Sequence, residues 1–380
     1  MIKIQLKKNF GYLVVYFFGW LIRSIICIII EEKFQIKTSD FIFLYLMVLG
    51  EIFGGLLIYV YQYNSKRKSG KIKYFGINLI YNQSRPGDNK FKIAFLIFLA
   101  SFFDIFNYTF SNMYSPKHFS LCVELRLSSI QTVSSALIFI YLLKYKMKTH
   151  HKVSLIFLGI CICLTIIIDV LFKKKYISLK YFFLSYFMLL YNGFIFSINN
   201  SIENYLVDVD YMNPFQILSY EGLFGIILSV LASIGHGEPF NDIIIQCQNR
   251  ETSQIILIIF LLFLYFLLSM IINAYKVYSN IIFLPMARAL IEYLLNPLFN
   301  IYFFLFKLDF NNNYVCFFLS EIICIIISFF GCVYNEYIIL CFCGLDKETN
   351  YAIGVRATST ENIPIIKPDD LSSNNNNDED

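Results

Sequence analysis

The sequence predicts an all-α membrane protein of ten transmembrane helices, built from two halves of inverted topology. Three observations carry this reading. Hydrophobic residues make up 57% of the chain and charged residues 15%, against about 45–50% and about 25% in soluble domains. Apolar runs of membrane-spanning length recur along almost all of the 380 residues, each able to cross a hydrocarbon core of roughly 30 Å. Finally, the phrase "LGEIFGGLLI" around Glu51 returns as "SYEGLFGIIL" around Glu221, about 170 residues later.

The expected spans are 12–30, 41–62, 92–112, 119–143, 152–172, 181–201, 213–235, 254–275, 281–305 and 314–343. They read as helices because lipid leaves no partner for open backbone groups, and because they lack the alternation of barrel strands. The first is expected to be retained, since its apolar stretch is too long for a signal peptide and no small-residue cleavage site precedes "EEK". Lys and Arg number 19 on the N-terminal side, counting Lys92 and Lys152 at the span edges, and 9 on the other, which predicts cytosolic N- and C-termini. Two connections run against that bias: "KKKYISLK" falls outside and the acidic "ENYLVDVD" inside.

Five spans, a short loop and five more suggest a duplication, and the odd number inverts the second half (first repeat 12–172, second 181–343). Spans two and seven then correspond, and they carry Glu51 and Glu221. Spans four and nine correspond as well; they hold Glu124 and Arg126 in "CVELRL", and Arg288 and Glu292 in "ARALIEY". From Asp346 the chain turns polar, acidic and low in complexity, so 344–380 reads as a disordered cytosolic tail behind the 1–343 helical domain.

An ionised side chain at mid-membrane costs about 2.5–3.5 kcal/mol on insertion scales, so each should face protein, a partner or water. The candidates are Arg23, Glu51, Asp104, Glu124, Arg126, Glu221, Arg288 and Glu292. Arg288 and Glu292 are four apart and share a helix face, which allows a local ion pair. Glu124 and Arg126, two apart, diverge around the helix, so Arg126 can turn toward a substrate. Glu51 lies among Gly50, Gly54 and Gly55, a spacing that permits close helix approach. Glu51 and Glu221 each read either as a buried packing residue or as a proton-coupling or gating carboxylate. Asp104 in "FFDIFNYTFSN" reads as cavity lining, and Asn296–Pro297 as a bend that either packs or frees carbonyls.

No hydrolase, kinase or metal motif occurs, so neither an enzyme nor a metal or other cofactor is expected. The ten cysteines have no metal-ligand spacing and the four histidines look scattered. Cys247 and Cys316 fall on the same expected side, which leaves a disulfide open. Sequons at Asn82, Asn107 and Asn199 lie in a cytosolic loop or within spans, so no N-glycan is expected. The net charge of +4 comes mostly from loops such as "KRKSGKIK", which implies headgroup contact rather than nucleic acid.

The stretch "NPFQILSYEGLFGIILS" resembles the drug/metabolite transporter superfamily, most closely the F branch of solute carrier family thirty-five, a nucleotide-sugar-transporter-like, EamA-like group. Pro214, Glu221, Gly222, Phe224 and Gly225 fit its Pro…Glu-Gly-x-Phe-Gly pattern, and Glu203 fits eleven residues before the proline. Gly50, Glu51, Asp104, Leu125 and Arg126 match in the first half, whereas Val123 and Leu127 stand where relatives commonly have Gln and Gly. The resemblance covers roughly 10–343. It implies a central cavity between the halves and alternating access by rocking helical hairpins.

The expected function is secondary transport, in an endomembrane or organelle membrane, of a small polar or anionic metabolite. Arg126 and Arg288 would meet the anionic group; Glu51, Glu221 and Asp104 would gate or couple to a proton or counter-substrate. The competing readings are a nucleotide-sugar antiporter and a non-transporting scaffold or receptor. The lipid bilayer is the other expected partner, and a homodimer is left open.

Overall fold

A computed structural model describes residues 2–4, 10–36, 41–69, 72–74, 77–79, 90–109, 129–142, 147–173, 179–208, 212–236, 241–248, 250–282, 287–305, 314–349 and 352. Among them the chain forms eleven helices and two small two-stranded sheets. In order these are β1 (Ile2–Ile4), α1 (Phe10–Phe34), α2 (Phe41–Ser69), β2 (Ile72–Tyr74), β3 (Ile77–Leu79), α3 (Lys90–Thr109), α4 (Ser129–Leu142) and α5 (Thr149–Lys173). Then follow α6 (Leu179–Asp208), α7 (Pro214–His236), α8 (Asn241–Gln248), α9 (Thr252–Ile282), α10 (Ala287–Leu305), α11 (Tyr314–Tyr334) and β4 (Ile338–Leu340).

Seven of these helices, α1, α2, α3, α5, α7, α9 and α11, are long and apolar enough to cross a membrane, and the chain is an all-α, multi-pass membrane protein. The described residues of the other expected spans are helical too. Helix α6 is diluted by the buried Asn192, Asn199, Asn200 and Asn204, and α4 has 14 described residues. Phe18, Ile22, Ile25 and Ile29 on α1, and Ile256, Ile259, Phe260 and Phe263 on α9, are exposed. They recur every three or four residues, and such long apolar stripes suit hydrocarbon.

Several expected boundaries move, and for three of them the local contacts give the physical reason. Helix α9 runs past Lys276 to Ile282, and α6 past Glu203 to Asp208; both charged residues end an apolar run in the sequence but find partners inside the protein. The expected last span closes early, at Tyr334. Tyr337 N donates to Cys332 O and Glu336 N to Val333 O, with Glu336 at φ 58°. This is a Schellman cap with Glu336 in the left-handed position usually taken by glycine. The basic "KRKSGKIK" is in part helical, since α2 continues to Ser69. Residues 344–349, expected to begin the disordered tail, are packed, with Leu345 and Thr349 buried; the tail beyond 352 lies outside the described residues, as does Asn82. Helix α8 was not anticipated, and Cys247 and Cys316 are both free thiols.

Helix α2 packs on α7 and α9, α3 on α6 and α7, α1 on α9 and α10, α4 on α5 and α6, and α11 on α5 and α10. Without a hydrophobic drive inside lipid, close packing of small residues holds such helices together. A Cβ added at Gly54 would come within 2.7 Å of Met270 O, one at Gly55 within 2.5 Å of Phe215 O, and one at Gly222 within 2.9 Å of Ile52 N. These contacts are with backbone, which cannot swing away. The hydroxyls of Thr132 and Tyr293 bond α4 to α10. At one end of the bundle β1 pairs antiparallel with β4, Ile2 opposite Leu340 and Ile4 opposite Ile338.

Gly55→Leu and Gly222→Leu should each lower stability by about 1–3 kcal/mol or more by prising α2 from α7. Gly159→Ala, where an added Cβ meets nothing within 4 Å, should be neutral or mildly stabilising in the same thermal-unfolding assay in detergent. Equal tolerance at all three positions would refute the packing argument.

Candidate functional site

Four helices bring a buried charged cluster together. Helix α3 supplies Asp104, α6 supplies Asn199 and Glu203, α7 supplies Glu221, and α9 supplies Lys276. Lys276 Nζ stands 2.9 Å from Asp104 Oδ2 and 3.0 Å from Glu203 Oε1. Asn199 Nδ2 donates to the other Asp104 oxygen at 2.6 Å. Ser101, one turn before Asp104, donates to the Glu221 main-chain carbonyl at 2.9 Å and ties α3 to α7.

The Glu221 carboxylate differs from its neighbours. It is 1% exposed, and neither oxygen has a hydrogen-bond partner among the described residues. Asp104, Glu203 and Glu221 each bring a carboxylate oxygen within 4.8 Å of the others. Two unit charges within that distance repel by roughly 3.5 kcal/mol or more at an effective dielectric constant of about 20. Glu51, 4% exposed on α2, is a fourth carboxylate within electrostatic reach of Glu221. Lys276 pairs with Asp104 and Glu203, and among the described residues no donor reaches the Glu221 oxygens. Three carboxylate oxygens at this spacing would suit a metal cation, but the Lys276 ammonium already pairs with two of the three carboxylates.

Of the residues singled out in the sequence, Glu51, Asp104 and Glu221 thus come together. Arg126 and Glu124 lie outside the described residues. Arg288 and Glu292 belong to α10, but their side chains lie outside the described residues. Arg23 stacks on aromatic rings, 5.5 Å from the Trp20 centroid and 5.8 Å from that of Tyr265. Lys276 and Asn199 were missed as site residues, and Glu203 was placed in a loop. A signal existed for Lys276: carried forward from Asp104, the register of the Glu51 and Glu221 phrases falls within two residues of it. The histidines are less scattered than they look, since His150 and His151 meet Glu336 at the junction of α5 and α11.

Lys276→Met should leave Asp104 and Glu203 as uncompensated buried carboxylates and destabilise the protein by about 3–5 kcal/mol. Adding Asp104→Asn should recover part of that loss, because it removes one of the stranded charges. Thermal or denaturant unfolding of the single and double variants measures this; strictly additive losses would mean that the pair does not interact.

Compared with known protein families and with curated proteins, the chain matches none.

Proposed function

We propose that this protein is a secondary transporter that moves a small polar metabolite by alternating access, coupled to protons at the Asp104–Glu203–Glu221–Lys276 cluster. The observation that carries this reading is the Glu221 carboxylate, buried and unpaired by hydrogen bonds beside two further carboxylates and a shared ammonium. Intramembrane ionisable groups are costly, and such clusters serve proton relays and substrate paths. A purely structural role would be met by a neutral side chain at that position.

Helix packing supports a ten-helix, five-plus-five architecture. Numbering the long helices α1–α7 and α9–α11 as spans one to ten, the packing of span two on eight has its counterpart in seven on three. One on eight mirrors six on three, and nine on ten mirrors four on five. Glu51 and Glu221 occupy equivalent positions, and so, within two residues, do Asp104 and Lys276. The pairing of β1 with β4 brings the start of the first helix near the end of the last, which supports an even number of crossings; seven apolar helices alone would be odd.

The balance of charge bears on the solute. A nucleotide sugar wants several cationic groups around its phosphates, whereas the one cation described at this centre is already bonded to two carboxylates. An anionic solute would have to be met by Arg126 and Arg288; the acid-rich centre favours a solute that carries an amine or brings its own proton. Termini in the cytosol and an endomembrane location complete the proposal.

The test is a thermal-shift screen of the purified protein against a metabolite library, with each hit repeated on Arg126→Ala and Glu221→Gln. Hits are then assayed in proteoliposomes containing a pH-sensitive dye. The expected result is proton movement driven by the hit, lost in Glu221→Gln, with exchange of solute for solute retained. Hits that survive both substitutions and move no protons, or an absence of hits, would favour a non-transporting membrane protein that keeps the fold.

A further inference from the structure

The second group of metal-competent side chains is at the end of the bundle that carries β1 and β4. His150 and His151 open α5, and Glu336 follows α11. All three are at least nine-tenths buried, at 3%, 1% and 3% exposure, and each offers a ligand atom within 4.8 Å of the others. His150 Nε2 stands 3.4 Å from Glu336 Oε1, and neither nitrogen of His150 makes a hydrogen bond among the described residues. The two imidazole centroids are 4.1 Å apart, and the His151 ring stacks on Tyr334 at 4.7 Å.

We propose that His150, His151 and Glu336 form a binding site for a divalent transition-metal ion of the zinc type. Imidazole nitrogen and carboxylate oxygen are the ligands such ions choose. Two ligand atoms at about 2.1 Å from one tetrahedral zinc lie about 3.4 Å apart, which is the separation already found between His150 and Glu336. Glu336 occupies the left-handed cap position where glycine costs least, so its side chain can be removed there without straining the backbone.

Lys148 competes for the same carboxylate. Its Nζ is 3.2 Å from Glu336 Oε1, with 21% of the side chain exposed, so it can swing into solvent when a metal arrives. Glu348, which accepts from Thr149 N at 2.7 Å and from the Thr149 hydroxyl at 2.8 Å, adds a second negative charge nearby. A bound metal would clamp the segment after α11 onto the start of α5.

The experiment is Zn²⁺ titration of the full-length protein in detergent by calorimetry, with Co²⁺ as a spectroscopic substitute. The variants are His150→Ala with His151→Ala, Glu336→Gly and Lys148→Met. One ion per chain should bind the native protein and be lost in the double histidine variant. Ligand-field bands of Co²⁺ should appear without sulfur-to-metal charge transfer, which separates this site from cysteine binding. Glu336→Gly suits the backbone better, so it should keep the fold while weakening the metal. Lys148→Met should tighten binding by about tenfold, the scale on which neighbours of a metal ligand act. Binding that survives the double histidine variant, a thiolate signature, or weaker binding in Lys148→Met would overturn the proposal; each would make the group a buried ion pair only.

Discussion

The ammonium of Lys276, shared between Asp104 and Glu203, is the constraint on which the centre of this protein depends. It draws α3, α6 and α9 to one point, and Ser101 adds α7 through the Glu221 carbonyl. Burying these charges costs more than an apolar core of the same shape would, so the ion pairs are poor candidates for net stabilisation. What they supply is a set of specific contacts that tie α3, α6 and α9 together. Attraction between the helices comes instead from glycine contacts such as those of Gly54, Gly55 and Gly222. Packing and polarity therefore divide the work, one holding α2, α7 and α9 close and the other fixing how the surrounding helices are set.

Under the proposed inverted repeat, equivalent residues near the two-fold axis meet each other. Asp104 and Lys276, equivalent within two residues, would do so as opposite charges, and they pair at 2.9 Å. Two aspartates there would repel. Under the same proposal Glu51 and Glu221 are the pair that stays alike, and both are buried. The symmetry is broken at one pair and kept at the other. A centre so built has an ion pair and a carboxylate, Glu221, whose oxygens have no hydrogen-bond partner among the described residues.

Most helices were legible in the sequence because a membrane demands long apolar runs, and Glu51, Asp104 and Glu221 were legible because they interrupt them. Lys276 and Glu203 were not. Each stands at the end of an apolar run, where a charge ordinarily marks the start of an aqueous loop, and hydropathy cannot tell a loop charge from one paired inside the protein. The same limit misplaced the end of α11: "GCVYNEYIIL" stays apolar, so the cap formed by Asn335 and Glu336 is invisible to composition. It is set by a left-handed backbone and the Asn335 amide donating to Gly331 O at 3.0 Å. Likewise Glu336 and the His150–His151 pair are far apart in sequence, and no spacing rule joins them.

The end of the bundle is organised differently from its centre. There Glu348 caps the first turn of α5, where an anion is favoured by the helix dipole, Lys148 and His150 face Glu336, and β4 holds β1. These contacts fasten the start of α1, the start of α5 and the finish of α11 to one another. The charged cluster lies on other helices, α3, α6, α7 and α9, where tight contacts are made through glycine and a few polar groups. In the proposed alternating-access cycle, the tied elements would serve as a frame and the four cluster helices as the part that rearranges. Breaking and remaking the Lys276 pairs during that rearrangement would expose Glu221 to one side or the other, which would link that carboxylate to the direction of opening.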